Sequence, residues 1–216
     1  MAAGSANPRA QRTRAALIGA GRRLYSRRPV DAVTVDEIVQ AAEVGKGSFY
    51  NHFADREALV RVIAAEIRAT VEAAVGRANT GFEDPARRLA RAVCVYLRYA
   101  LDEPEAAGVL VHIHSGHTSL AAPLNRGLVE DIETGLACGR FAVATVEPGV
   151  LYVLGVTQLA LVRIVQEPTN VLAVALGQQM AALILKGLGV PSAEAELLAA
   201  QASDEIVRRG AFSHAL

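Results

Sequence analysis

Six of the eight prolines, at positions 85, 104, 123, 148, 168 and 191, stand at or near the start of stretches whose apolar residues recur every three to four positions. Proline has a fixed φ and no backbone N–H, so the first turn of a helix tolerates it and the interior does not. Spaced in this way, the prolines bound helices at about 84–102, 104–113, 122–138, 149–166, 170–187 and 191–209. No stretch alternates apolar with polar residues as a half-buried strand would, and there is neither an internal repeat nor a low-complexity tract. With 52% hydrophobic and 20% charged residues, the 216-residue chain can bury a sizeable core. The expected fold is all-α.

The segment before residue 81 is built on a smaller scale. From Arg9 to Ser26, Leu17, Ala20, Gly21, Leu24 and Tyr25 lie on one helical face and arginines on the other, and Pro29 ends the run. Thr34-Val35-Asp36-Glu37 then reads as a capping box: hydroxyl and carboxylate satisfy backbone N–H groups at a new helix start. Val35, Ile38, Val39 and Ala42 form the buried stripe of that short helix. Glu43-Val44-Gly45 breaks the pattern, and Lys46 to Phe53 resumes it with Phe49 and Phe53 one turn apart. Asp55 is placed to cap a longer helix through Leu59, Val62, Ile63, Ile67, Val71 and Val75, which ends near Gly76–Gly81. The expected divisions are 1–54, a connecting helix over 55–80, and a larger helical domain over 81–216.

The formal net charge is zero, but it is unevenly distributed. Residues 1–53 hold 8 Lys and Arg against 4 Asp and Glu, whereas residues 54–216 hold 14 against 18. A basic small segment suits phosphates, and two short helices joined by a tight turn form a helix-turn-helix whose second helix can enter a major groove. Val44, Phe49 and Phe53 are expected to face the core, leaving Lys46, Gly47, Ser48, Tyr50, Asn51 and His52 to nucleic acid.

Three strings carry a more detailed resemblance: Thr34-Val35-x-x-Ile38, Val44-x-Lys46-Gly47-x-x-Tyr50-x-His52-Phe53 and Arg56-Glu57-x-Leu59. Together they resemble the signature of TetR-family transcriptional regulators over about a quarter of the chain. The resemblance implies Thr34 and Arg56 on phosphates, Lys46, Gly47 and Ser48 at the start of the recognition helix, and Tyr50 and His52 against DNA backbone or bases. Pro29, Glu43, Gly45 and Arg56 depart from the usual residues, Glu43 standing in the turn where glycine is common. It also implies a homodimer on double-stranded, palindromic operator DNA, repression as the usual mode, and a variable domain that binds a small-molecule effector.

For that domain, a largely apolar ligand is expected within 84–166. Tyr96, Tyr99, Leu110, Ile113, Leu128, Tyr152 and Val156 would line its pocket, and His114 would supply a polar contact. The apolar pair 149–166 and 170–187, with Leu159, Val162, Met180 and Leu183, is expected to pack against a second copy. Their most apolar stretches, 149–162 and 169–185, are cut by Arg163 and Glu167 and carry Gln158, Asn170, Gln178 and Gln179, so they are expected to fall short of membrane spans. No signal peptide is expected, and a cytoplasmic location follows. Cys94 and Cys138 lack paired-ligand spacing and are expected to be reduced thiols.

The rival class is a helical enzyme or metal-binding protein using His112, His114 and His117. No HExxH or neighbouring carboxylate accompanies them, and residues two apart do not share a helical face. Gly19-Ala20-Gly21 lies within an arginine-lined helix without a preceding strand, so it is no dinucleotide loop. Neither a cofactor, a metal nor catalysis is expected.

Overall fold

The computed structural model describes residues 8–113, 120 and 125–210, and forms no strand among them. Ten α-helices follow in order: α1 Pro8–Tyr25, α2 Val35–Ala41, α3 Lys46–Tyr50, α4 Arg56–Ala78, α5 Pro85–Asp102, α6 Pro104–His112, α7 Arg126–Ala137, α8 Val146–Gln166, α9 Asn170–Gly187 and α10 Ser192–Ala202. A 3-10 turn at Val30–Ala32 precedes α2, and a π-helical turn at Ser203–Arg208 continues α10. The expected helix starts are close to those observed, because prolines and caps act locally. Among the described residues, α3 ends at Tyr50 rather than running to Phe53, and α8 begins at Val146, so Pro148 stands inside its first turn; the start expected near 122, marked by Pro123, lies outside the described residues, and α7 is described from Arg126.

The N-terminal unit is small and closely packed. Leu17, Ala20 and Tyr25 of α1, Ile38 of α2, and Phe49 and Phe53 bury together, while Leu59 and Ile63 bring in the first turns of α4. At Gly21 the packing leaves no space for a side chain, since an added Cβ would lie 2.8 Å from Ile63 Cδ1 and 3.1 Å from Leu59 Cδ2. The turn between α2 and α3 requires a left-handed residue, and the chain places Glu43 there with φ of 55°.

The larger unit is organised around α5, which contacts α4, α6, α7, α8, α9 and α10. Helix α6 joins the two units. It packs on α1 closely enough that a Cβ at Gly108 would sit 2.4 Å from the Ser26 carbonyl oxygen, and His112 Nδ1 lies 2.9 Å from the Tyr25 carbonyl oxygen. That oxygen can only accept, so His112 carries its proton on Nδ1 at this contact.

One expectation about α8 and α9 requires correction. Both are long and apolar enough to cross a membrane, because the flanking turns add residues to the stretches that looked too short. Their packing on α5 is that of a helical bundle, yet only a third of each apolar window is buried. Leu159 is 69% exposed, Val171 83% and Leu183 50%, whereas Val162 and Met180 are half-buried. The outward side of this pair is an apolar surface without cover in the single chain.

Candidate nucleic-acid interface and effector cavity

The start of α2 is held by a complete capping box. Glu37 N–H donates to Thr34 Oγ1 at 3.2 Å, and Thr34 N–H donates to Glu37 Oε2 at 2.8 Å. Arg28, in the turn after α1, closes the arrangement, its Nη1 2.6 Å from Glu37 Oε1. The Arg28 guanidinium and the two Thr34 donors hold the Glu37 carboxyl at about 2, well below the ordinary value of 4.5. Thr34 remains exposed at the helix N-terminus, where phosphates bind favourably, although its hydroxyl is already engaged in the cap.

Helix α3 divides its faces as its spacing requires. Phe49 is buried against Tyr50 and Phe53 at ring-centroid distances of 5.3 and 5.7 Å, whereas Tyr50 itself is 54% exposed. Lys46, Gly47 and Asn51 are exposed; Ser48 and His52 are half-buried. A Cβ at Gly47 would meet nothing within 4 Å, which leaves the backbone open to close approach. Lys46 Nζ pairs with Asp36 of α2 at 2.8 Å. Arg56 Nη1 donates to the Val33 carbonyl at 3.0 Å, and its Nη2 reaches Asp31 at 3.2 Å and Glu57 at 2.9 Å. The two cations expected to meet phosphates are therefore held by acidic neighbours that sequence spacing did not reveal, since the turn alone brings Asp36 to Lys46.

Some 210 Å³ of cavity lies between α4, α5, α6, α7 and α8. Of the residues expected in a pocket, Tyr96, Leu110 and Leu128 line it. Tyr99 and Ile113 are buried elsewhere, Val156 is half-buried away from it, and Tyr152 donates to the Leu183 carbonyl of α9 at 3.0 Å. His114 and His117 lie outside the described residues. The cavity also reaches beyond 84–166, because Arg68, Glu72, Val75 and Gly76 of α4, and Asn79 just after it, form part of its wall. The available sequence signal was Arg68 and Glu72 flanking the buried stripe of Ile67 and Val71.

The wall is apolar along Leu89, Val93, Val153, Leu154 and Leu161, and polar at particular points. Tyr96 donates its hydroxyl to Glu72 Oε1 at 2.7 Å, and Arg88 Nε pairs with Asp131 at 2.5 Å. Burial raises the Glu72 carboxyl and pushes Tyr96 well above the ordinary phenol range. Arg68 is lowered, again chiefly by burial. Among the described residues no group of acidic, histidine and cysteine side chains is placed to hold a metal, and the described histidine of the cluster, His112, is directed at the Tyr25 carbonyl.

Residues 17–63 match the bacterial regulatory proteins of the tetR family, and residues 84–201 match the tetracyclin repressor-like C-terminal domain. Among solved structures, RolR in complex with resorcinol superposes with a TM-score of 0.70 at 29% identity, covering 89% of this chain and 95% of that one. A tetR family transcription regulator from Shewanella sp. PV-4 gives 0.71 at 16% identity, covering 83% and 99%. A gamma-butyrolactone receptor (ArpA-like protein) gives 0.59 at 21%, covering 92% and 100%. The last two identities speak to the fold alone. No curated protein matches the chain significantly. The C-terminal match alone spans more than half of the sequence and adjoins a helix-turn-helix match at the expected place, so the chain belongs to the TetR family of bacterial regulatory proteins.

Proposed function

We propose that this chain is a homodimeric transcriptional repressor, cytoplasmic and without catalytic activity, that leaves a palindromic operator when a small ligand fills the cavity beside α4. The observation that carries the reading is the position of α6: Leu110 lines the cavity, and two residues later His112 holds the C-terminal end of α1. A ligand that displaces α6 acts directly on the unit bearing α3. The likeness to RolR, solved with resorcinol, supports a ligand of similar size.

In this reading Tyr50, Asn51 and His52 meet bases or backbone, Gly47 and Ser48 lie against the groove, and Lys46, Thr34 and Arg56 meet phosphates. Lys46 and Arg56 would exchange their acidic partners for phosphate, an exchange between charge-assisted contacts of similar kind. The second copy packs on the α8 and α9 face through Leu159, Val162, Met180 and Leu183. Two recognition helices must be separated by one turn of DNA or a multiple of it, which one chain cannot provide.

Genomic fragments selected for binding should contain an inverted repeat, and an effector should weaken that binding by roughly 5- to 150-fold. Operator must weaken effector binding by the same factor; ligand affinity that is identical with and without operator removes the molecule as effector. Leu159→Asp or Leu183→Asp should leave a monomer at micromolar concentration by light scattering, and an unaltered dimer would remove α8 and α9 as its interface.

A further inference from the structure

The cavity, taken as the effector site proposed above, has polar groups that a purely apolar guest would leave without partners. Arg68 stands half-buried in its wall and makes neither an ion pair nor a hydrogen bond with any described residue. Glu72 lies one turn further along α4, at the spacing where a carboxylate and a cation ordinarily meet. It accepts from the Tyr96 hydroxyl instead, and no Arg68–Glu72 ion pair forms. The other cation of the wall, Arg88, is committed to Asp131. Two further wall atoms, Thr157 Oγ1 and Asn79 Oδ1, are buried without a partner among the described residues. Such atoms are costly unless something completes them.

Size narrows the guest. An apolar cavity of about 150 Å³ takes benzene. At ≈ 210 Å³, this one accommodates a single ring with one or two substituents of a few atoms each. The pattern of charges then selects the substituents. A carboxylate offers Arg68 two charge-assisted hydrogen bonds, roughly twice as strong as neutral ones, in a partly desolvated place. A second carboxylate would meet Glu72 or Asp131 and find no cation left to pair with. A hydroxyl both donates and accepts, so it can serve Asn79 Oδ1 or Thr157 Oγ1.

We infer that the effector is a hydroxylated single-ring monocarboxylate, its carboxylate on Arg68, its hydroxyl toward Thr157 and Asn79, and its ring against Leu89, Val93, Leu128 and Leu161. A neutral diol of the same size leaves the Arg68 charge unanswered and binds less tightly.

The test uses the full chain and three probes in calorimetry: 3-hydroxybenzoate, resorcinol and benzoate. 3-Hydroxybenzoate should bind about tenfold or more tighter than resorcinol, which differs from it by a hydroxyl in place of the carboxylate. Arg68→Met should bring the two within about threefold by weakening 3-hydroxybenzoate and leaving resorcinol nearly unchanged. Benzoate should bind several-fold more weakly than 3-hydroxybenzoate, and Thr157→Val should narrow that gap. Should Arg68→Met fail to fold by circular dichroism, Arg68→Lys, which keeps the charge and loses the fork, should retain a reduced preference. Resorcinol binding as tightly as 3-hydroxybenzoate, or a preference that survives Arg68→Met, overturns the inference. If all three probes bind equally and release operator, the cavity remains the effector site and only the anion assignment falls. If none binds at millimolar concentration, both fall.

Discussion

The helix-turn-helix unit and the cavity proposed for the effector use similar side chains under opposite conditions. Around α3 the charged groups are already paired at the surface, the exposed Lys46 with Asp36 and the half-buried Arg56 with the exposed Asp31 and Glu57. Such exposed pairs are worth little, so phosphate can replace the acid at small cost. In the cavity the polar groups are partly desolvated and incompletely paired, Arg68 and the Thr157 hydroxyl among the described residues being without a partner. A ligand that completes them gains more for each contact. One site is prepared for exchange and the other for capture, a difference suited to a switch that must release DNA readily and hold its effector selectively.

The largest effect is expected at Phe49. It is fully buried between α1 and α2, and Phe49→Ala should destabilise the N-terminal unit by about 3–5 kcal/mol. Thermal melts should show a large loss and DNA binding should vanish with the fold. Its neighbour provides the contrast. Tyr50→Ala should weaken operator binding by about tenfold to a hundredfold, or 1–3 kcal/mol, while the melt stays within about 0.5 kcal/mol of the parent. If Tyr50→Ala lowers stability as Phe49→Ala does, the division of faces on α3 is wrong.

Acid pH weakens the cap of α2. The Glu37 carboxyl is depressed from 4.5 to about 2, so its contribution to stability is complete above pH 4.5 and is lost as pH falls toward 2. Glu37→Gln should be less stable than the parent in urea titrations at pH 7, and the gap should shrink across that window. A gap of constant size would mean that the carboxylate charge is not what holds the cap.

The smallest effect is expected at Glu43. A side chain at φ of 55° is strained by about 1–2 kcal/mol, and Glu43→Gly removes the strain while loosening the unfolded chain. The net gain should be about 0.5–1 kcal/mol with unchanged operator affinity. A loss of stability would show that Glu43 makes compensating contacts in the turn.

Legibility followed the range of the interactions. The α2 capping box, the Asp55 cap of α4 and the proline-marked helix starts were readable because each acts within about one turn of chain. The division of α3 into Phe49 inside and Tyr50 outside was readable for the same reason, since one helical period carries it. The Lys46–Asp36 pair was not, because it depends on the turn geometry that Glu43 adopts. The cavity was least legible: Tyr96, Leu110 and Leu128 line it as expected, but Tyr99 and Tyr152 are apolar-compatible residues that pack elsewhere. Periodicity identifies a buried face without saying which neighbour it meets.

By itself the sequence determined the helical class, the order and approximate limits of the helices, and the helix-turn-helix with its polar face. Periodicity, caps and prolines are local properties, and a short motif carries its own chemistry. Only the tertiary structure decided that α4 contributes Arg68 and Glu72 to a cavity otherwise built by α5 to α8. It also decided that His112 of α6 fastens on α1, and that a face of α8 and α9 stays uncovered. These arrangements join residues tens of positions apart, and the packing of whole helices, which no local pattern encodes, brings them together.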